Sequence, residues 1–261
     1  MSSNPASLTG QWALVTGASK GIGYGIAERF VDDGANVVLV ARNRDDLDEA
    51  RRNLENVAGD GQQVVVRSTD TADGAAIANL FAWVRDELPG LNVLVANAGS
   101  GAVIPFLDLS IDTWDATLAL NLTGTFLCMQ EAARTMIKMP KDANRAMVVV
   151  SSIRGLGVRP GLAAYASTKA AVNQLVRMVA YELAPLGIRA NALSPGITVT
   201  PLVATTMEAN PHILAERTAD VPMGRPGQPE DMGNAALFLC QPASKFITGT
   251  NMIVDGGEHL R

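Results

Sequence analysis

Two side chains that can exchange protons stand four residues apart in the stretch Ala163-Ala164-Tyr165-Ala166-Ser167-Thr168-Lys169-Ala170-Ala171. On a helix that spacing puts both on one face, with their tips within reach of each other. A free phenol ionises near pH 10, too high for a base at neutral pH. An ammonium held beside it favours the phenolate and lowers that value. Tyr165 and Lys169 therefore read as proton-transfer chemistry. The plainer reading is a tyrosine packed on a helix beside a lysine that reaches out to solvent. What surrounds the pair has to decide between them.

A second chemical signal lies near the amino terminus. Thr16-Gly17-Ala18-Ser19-Lys20-Gly21-Ile22-Gly23 follows an apolar run and precedes a helical one. Glycines there allow positive φ and close approach of a phosphate to the free N–H groups of a helix start. Gly17, Ser19, Lys20, Gly21, Ile22 and Gly23 are thus candidate pyrophosphate contacts. The spacing departs from G-x-G-x-x-G, and the strand-to-helix context is what gives it weight. The segment Gly17–Gly21 also matches the G-x-S-x-G nucleophile elbow of a hydrolase, with His212 or His259 as the base. An elbow after the first strand has no earlier loop to supply a second oxyanion donor, which disfavours that reading.

The end of the second apolar run bears on which dinucleotide binds. NAD-binding loops place a carboxylate there, on the ribose hydroxyls. This chain has Ala41 followed by Arg42, with Lys20 expected near the same corner. Two cations and no acid fit a 2′-phosphate, so NADP(H) is favoured over NAD(H). Asp45 and Asp46 are expected past the strand end, as first-turn residues favoured by the helix dipole.

These residues need a scaffold, and the pattern of the chain supplies one. Short, nearly continuous apolar runs recur at Trp12–Thr16, Asn36–Ala41, Gln63–Ser68, Asn92–Ala96, Ala146–Ser151, Ile188–Leu193 and Asn251–Val254. Strands buried on both faces of a parallel sheet read this way. Helical stretches separate them: Ile22–Asp33, Arg44–Val57, Asp73–Glu87, Thr113–Met139 and Ala163–Leu186. The alternation predicts one doubly wound α/β Rossmann domain, a seven-stranded parallel sheet with helices on both faces. Residues 197–228, rich in Pro and Gly, are expected to form a substrate loop or lid.

Bulk properties exclude several classes. The chain has 261 residues, 48% hydrophobic and 18% charged, and a formal net charge of −5. That balance supports a large core and argues against nucleic-acid or anionic-membrane partners. Cys128 and Cys240 read as buried free thiols, and two histidines with no metal spacing argue against a zinc site. The start lacks the regions of a signal peptide, and no apolar run reaches the ~18 residues of a membrane span. A soluble, cytoplasmic protein is expected.

Taken together, the motifs resemble those of the short-chain dehydrogenase/reductase family, from Trp12 to Gly257. The glycine loop is similar to the family's T-G-x-x-x-G-x-G. Asn97-Ala98-Gly99 matches its N-A-G, Asn121 its helix asparagine, and Tyr165 to Lys169 its Y-x-x-x-K. Ser152, thirteen residues before Tyr165, matches the active-site serine. Pro195-Gly196 matches the P-G turn beside the nicotinamide, and Thr248 to Gly257 the last strand. Thr198 stands where the family often has an aliphatic residue, and Thr200 matches a threonine that bonds the nicotinamide amide.

The resemblance implies a ketone–alcohol oxidoreductase in which hydride moves between substrate and nicotinamide. Tyr165 would be general acid in reduction and general base in oxidation, Ser152 would hold the substrate oxygen, and Lys169 would bond the nicotinamide ribose. Asn121 would hold a water linking Lys169 to solvent; without the resemblance it reads as a helix-interior amide bonding backbone. Asp70 would bond the adenine amino group, while Asn97, Ala98 and Gly99 line the ribose side. A homotetramer (or homodimer) is implied, with the long helices Thr113–Met139 and Ala163–Leu186 paired between subunits. The substrate stays open among 3-oxoacyl thioesters, sugar acids or polyols, and cyclic ketones. Arg154 and Arg159 could meet an acidic substrate or be solvated, and Ile104, Phe106, Leu202, Met207 and Ile213 could form an apolar wall. The rival class is an NADP-binding regulator without turnover, which would be expected to lack Tyr165 or Lys169.

Overall fold

Seven strands form one parallel sheet in a computed structural model that describes residues 7–200 and 218–261. They are β1 (Trp12–Thr16), β2 (Asn36–Ala41), β3 (Val64–Ser68), β4 (Val93–Ala96), β5 (Ala146–Val150), β6 (Arg189–Pro195) and β7 (Asn251–Val254). Their order is β3-β2-β1-β4-β5-β6-β7. The chain winds outward from β1 on one side, then returns to lay β4 on the other. The crevice beyond the carboxyl ends of β1 and β4 is therefore the topological switch point, where such sheets bind ligands. Every residue of β1, β4, β5 and β6 is buried. The edge strands β3 and β7 are only partly so, which follows from their having a neighbour on one side only.

Helices cover both faces. On one lie α1 (Gly21–Asp32), α2 (Arg44–Glu55) and α7 (Pro229–Cys240), packing around Phe30, Leu47, Leu54 and Leu239. On the other lie α3 (Gly74–Glu87), α5 (Thr125–Met136) and α6 (Ala163–Leu183), packing around Phe81, Leu94, Met129 and Val176. Phe30 and Phe81 are fully buried and contribute about 2 kcal/mol each by area alone. Caps explain where several helices begin. Asn43 accepts the N–H groups of Asp45 and Asp46, Asp73 accepts that of Ala75, and Ser110 accepts that of Thr113.

The expected single helix Thr113–Met139 is interrupted. It runs as α4 (Ile111–Leu118), a π-helical segment (Ala119–Gly124) and α5. Two contacts account for the widened turn. The Asn121 amide bonds both backbone groups of Ser100, outside the helix. Gly124 packs so tightly under Thr71 that a Cβ there would lie 1.9 Å from the Thr71 carbonyl oxygen. Helix α7 is an element the strand-and-helix pattern did not single out. Most of the expected lid, residues 201–217, lies outside the described residues. Among the described residues no helix is long and apolar enough to cross a membrane, and no group of His, Cys, Asp or Glu could hold a metal ion.

Helices α1 and α7 touch backbone to backbone through glycine. A Cβ on Gly25 would meet Pro229 at 2.5 Å, and one on Gly233 would meet the Gly25 carbonyl oxygen at 2.6 Å. Gly233→Ala should therefore push α7 off α1 and cost about 1–3 kcal/mol. A thermal melt should fall by several degrees, and a variant that melts with the wild type would refute this packing account.

Candidate active site

The glycine loop joins β1 to α1 at the switch point. Gly17 and Gly21 have φ of 65° and 62°, which only glycine adopts without strain. Gly23 serves differently: a Cβ there would lie 2.3 Å from the Gly17 carbonyl oxygen, so it lets helix and loop close on each other. Asn97 braces the turn from β4, donating to the carbonyls of Thr16 and Gly17 at 2.9 and 3.1 Å. Thr16 Oγ1 in turn accepts the N–H groups of Asn97 and Ala98, each at 3.0 Å. The first turn of α1 carries no side-chain cap and no acid, so its N–H groups and the positive end of its dipole face the crevice. By contrast, α2 next to it is capped and acidic.

One cleft of about 810 Å³ runs past this loop. At one end it is lined by Arg42, Asp46 and Asp70, in the middle by Gly17, Ser19, Lys20, Gly21 and Ile22 with Asn97, Ala98 and Gly99, and at the other end by Ser152, Tyr165 and Lys169. Pro195, Gly196, Thr198 and Thr200 close the far side. Its length and chemistry fit a dinucleotide: an uncapped helix start for the pyrophosphate and cations at one rim. Gly23 and Asn121 are the expected site residues that do not line it.

At the far end, α6 presents Tyr165 and Lys169 to the carboxyl end of β5. Lys169 is buried, and its Nζ donates to the Val150 carbonyl at 2.7 Å, 5.7 Å from the centre of the Tyr165 ring. Burial pulls its pKa down from 10.5 to about 8. The Tyr165 ring lies under Gly101, where a Cβ would approach ring carbon Cδ2 to 2.6 Å. Burial pushes the phenol above its ordinary value; its hydrogen bond with Ser152 and the positive charge of Arg154 pull it partly back. Lys169, expected to supply the acidifying charge, turns its ammonium to Val150 and holds it 5.7 Å from the ring centre, while Arg154 brings a second positive charge.

Other polar groups around the pair bond the backbone. Ser151 Oγ donates to the Lys169 carbonyl, and Thr168 Oγ1 donates to that of Tyr165. Ser167 points to solvent. Asn121 is fully buried, its amide spent on Ser100 and on Thr168 Oγ1 at 3.2 Å. This is the bracing of backbone that its position in a helix interior first suggested. It lies beside Gly99, where a Cβ would be 3.2 Å from Asn121 Oδ1 and 3.4 Å from Lys169 Nζ.

Three expectations change. The corner thought to hold two cations and no acid holds an acid as well. Asp46 is a first-turn residue of α2, yet its Oδ2 accepts from Lys20 Nζ at 2.9 Å, across the corner that both residues line. Arg42 makes no ion pair among the described residues. Secondly, Ile104 and Phe106 are not part of the cleft wall, and Phe106 is 74% exposed; Val103, Leu120 and Leu162 line it instead. Leu202, Met207 and Ile213 lie outside the described residues. Thirdly, Arg154 is not simply solvated: its Nη2 pairs with Glu258 Oε1. Arg159 lines the cleft without an ion pair among the described residues.

Comparison with known proteins closes the question of kinship. The family profile described as Enoyl-(Acyl carrier protein) reductase matches residues 17–259. A glucose 1-dehydrogenase from Gluconobacter oxydans is 34% identical over 251 residues, covering 96% of this chain and 92% of that protein. A short-chain type dehydrogenase/reductase from Mycobacterium ulcerans superposes with a TM-score of 0.92 at 33% identity, covering 98% of this chain and 92% of that one. The chain belongs to the short-chain dehydrogenase/reductase family. It is an oxidoreductase of the class that acts on CH–OH donors. A further short-chain dehydrogenase/reductase-like structure is that of a putative NAD(P) dependent gluconate 5-dehydrogenase from Beutenbergia cavernae with bound NADP at low occupancy. Its TM-score is 0.91 at 32% identity, covering 99% of this chain and all of that one.

Within this short-chain dehydrogenase/reductase, three cleft-shaping residues escaped the sequence reading. Gly101 and Gly155 let loops lie directly on α6; a Cβ on Gly155 would be 2.7 Å from the Lys169 carbonyl carbon. Glu258 is nearly buried and reaches the turn after β6. Its only signal is an acid directly after Asp255-Gly256-Gly257.

The buried Lys169 has a stability signature. Below about pH 8 the ammonium is charged in both folded and unfolded chains, and its burial cost is fully present. Between about 8 and 10.5 the unfolded chain binds the extra proton, so stability should rise with pH. Lys169→Met should melt no lower than wild type at neutral pH, and the wild type should gain on the variant across that window. A variant that is much less stable at pH 7, with a flat difference above pH 8, would refute the assignment.

Proposed function

We propose that this chain interconverts a secondary alcohol and a ketone using NADP(H), with Tyr165 as general acid/base. The observation that carries this reading is the single cleft joining the uncapped start of α1 to Ser152, Tyr165 and Lys169. Bound there, a nicotinamide cofactor supplies or accepts the hydride. Developing negative charge on the substrate oxygen then needs a proton at one defined place. The Tyr165 hydroxyl holds that proton, and its raised pKa keeps it there at neutral pH, the form required for reduction. Ser152 Oγ accepts the Arg154 N–H at 3.1 Å and bonds Tyr165, so its orientation is fixed before a substrate oxygen arrives. Lys169, anchored by Val150 below, has two further N–H groups for the ribose side. Asn121 holds the Ser100 turn and thereby Gly99 against Lys169. In oxidation the phenol must first lose its proton, so rates should rise into the alkaline range.

For the cofactor, Arg42 and the lack of an acid at the end of β2 support NADP(H), as does the NADP in the Beutenbergia relative. For the substrate, the glucose and gluconate dehydrogenases among the relatives support a sugar, polyol or sugar acid, and a cyclohexadiene-diol dehydrogenase and a 7α-hydroxysteroid dehydrogenase among them support a cyclic ketone, alongside the 3-oxoacyl thioester. Exposed apolar Phe126, Met178 and Tyr181 on α5 and α6 support a homotetramer or homodimer. Cys128 and Cys240 are buried free thiols with pKa pushed up to about 12, which suits a reducing cytoplasm.

A panel of these substrate classes, read by NADPH absorbance lost with the ketone or gained with the alcohol, tests the function. Tyr165→Phe should abolish turnover while still binding cofactor. A Phe variant as fast as wild type would leave a cofactor-binding regulator as the better reading. Arg42→Ala should lower the NADPH-over-NADH ratio of kcat/KM about tenfold, the scale of one charge-assisted hydrogen bond. An unchanged ratio would remove the NADP assignment.

A further inference from the structure

The short helical turn Glu258–Leu260 packs against two residues of the cleft lining, Arg154 and Ile197. Asp255 caps it, accepting the N–H groups of Gly257 and His259 at 2.9 and 2.7 Å. Gly256 and Gly257, with φ of 62° and 90°, bend the chain so that Glu258 points inward. Its carboxylate has two partners. Oε2 accepts the Ile197 N–H at 2.7 Å, on the turn after β6. Oε1 pairs with Arg154 Nη2, on the turn after β5. Gly196 is glycine for the same reason: a Cβ there would lie 2.7 Å from Glu258 Oε2 and 2.6 Å from Asp255 Cβ. One carboxylate thus ties together two turns that have no hydrogen bond to each other among those seen here. One carries Ser152 and the other carries the Gly196–Thr200 wall.

We propose that Glu258, acting through Arg154, is a positioning residue of the reaction: it clasps the proton-transfer side of the cleft to its nicotinamide side. The clasp has a mechanical half and an electrical half. Mechanically, it fixes Ile197 and so the wall against which the nicotinamide end of the cofactor would lie. Electrically, it fixes where the Arg154 guanidinium stands and how much of its charge reaches Tyr165. Among the described residues the charged groups around that phenol are few. Arg154 comes from the turn after β5, Lys169 from α6 and Arg159 from the loop before α6, and the Gly99–Val103 loop brings none. Glu258 is the acid paired with Arg154, so it governs how strongly that cation acts.

The inference rests on the dehydrogenase reading, and its two halves can fail separately. Glu258→Gln keeps an oxygen for the Ile197 N–H but drops the charge. Arg154 is then unneutralised, and the alkaline rise of kcat/KM for alcohol oxidation should move to lower pH by about half a unit or more. Arg154→Gln removes the cation and should move the same limb to higher pH. Packing damage alone would not give opposite signs. Calorimetric titration with whichever of NADP⁺ and NAD⁺ binds the wild type should give nearly equal affinity for Glu258→Gln and about tenfold weaker binding for Glu258→Ala, which loses the Ile197 acceptor. In a double-mutant cycle, Glu258→Gln with Arg154→Gln should be less severe than the product of the single effects. Limbs that move together or not at all, or multiplicative effects, would overturn the clasp. If the Ala variant does not fold, the Gln pair still decides. If the wild type turns over no substrate, the functional reading falls, and equal cofactor affinity in wild type and Glu258→Ala would then overturn the clasp on its own.

Discussion

An ammonium buried at the carboxyl end of β5, with no carboxylate partner among the described residues, is the constraint that the rest of the site answers to. Lowering the pKa of Lys169 from 10.5 to about 8 corresponds to about 3 kcal/mol of unfavourable burial. A protein of ordinary stability bears this only where the surroundings hold the group in place. Here the Val150 carbonyl fixes Nζ from the strand side. Ser151 ties the Lys169 carbonyl to the end of β5, and Thr168 bonds the Tyr165 carbonyl one turn back. Gly99, with Asn121 behind it, approaches close to the ammonium. The buried cation and the braced loops are one arrangement, and loosening any brace would let Lys169 escape to water.

Close approach is the means by which the fold achieves this. Around α6 the neighbouring loops come within contact distance of backbone or ring because glycine stands at 101 and 155. Alanines at 163, 164, 166, 170 and 171 keep the helix itself slim. The π-helical segment shifts Asn121 out of α-helical register and toward Ser100, where its amide takes both a backbone donor and a backbone acceptor. Widened turns of this kind recur at functional sites because they aim one side chain off the regular path. The parallel sheet contributes direction: β1, β4, β5 and β6 all end at the same rim, so four separate turns converge on one cleft.

What the sequence makes legible is what depends on short-range pattern. Strands β1, β2 and β7 fall on their apolar runs residue for residue, because Gly17, Arg42 and Asp255 end the three runs sharply. The Tyr165–Lys169 spacing is legible because one helical turn brings the two together. Pairings across the fold are not. Asp46 reads as a first-turn acid until α2 is seen to bring it to Lys20. Arg154 reads as a loop cation until the chain terminus, over a hundred positions away, lays Glu258 against it. The π-helical segment leaves no mark in the apolar periodicity, since its cause lies in Ser100 and Thr71. Helix α7 is hard to read for a different reason: its amino-terminal half, Pro229-Glu230-Asp231-Met232-Gly233-Asn234, carries little apolar signal, and its packing on α1 runs through glycine backbone.

Charge shows the same division between local and global. The chain as a whole carries −5, and net charge alone would repel an anionic ligand. The cleft inverts that sign. Its lining includes Lys20, Arg42, Arg154, Arg159 and Lys169 against Asp46 and Asp70. Low-dielectric walls concentrate such a local excess, so an approaching phosphate senses the cleft more than the distant surface acids. The two ion pairs then grade this field along its length. Asp46 tempers Lys20 at the Arg42 end, and Glu258 tempers Arg154 at the Tyr165 end. Arg42 and Arg159, without acid partners among the described residues, mark the places where positive charge is left for something else to meet. The charge of the cleft therefore suits a ligand with negative charge distributed along it, past the glycine loop at its middle, and a short neutral alcohol alone would leave most of that field unused.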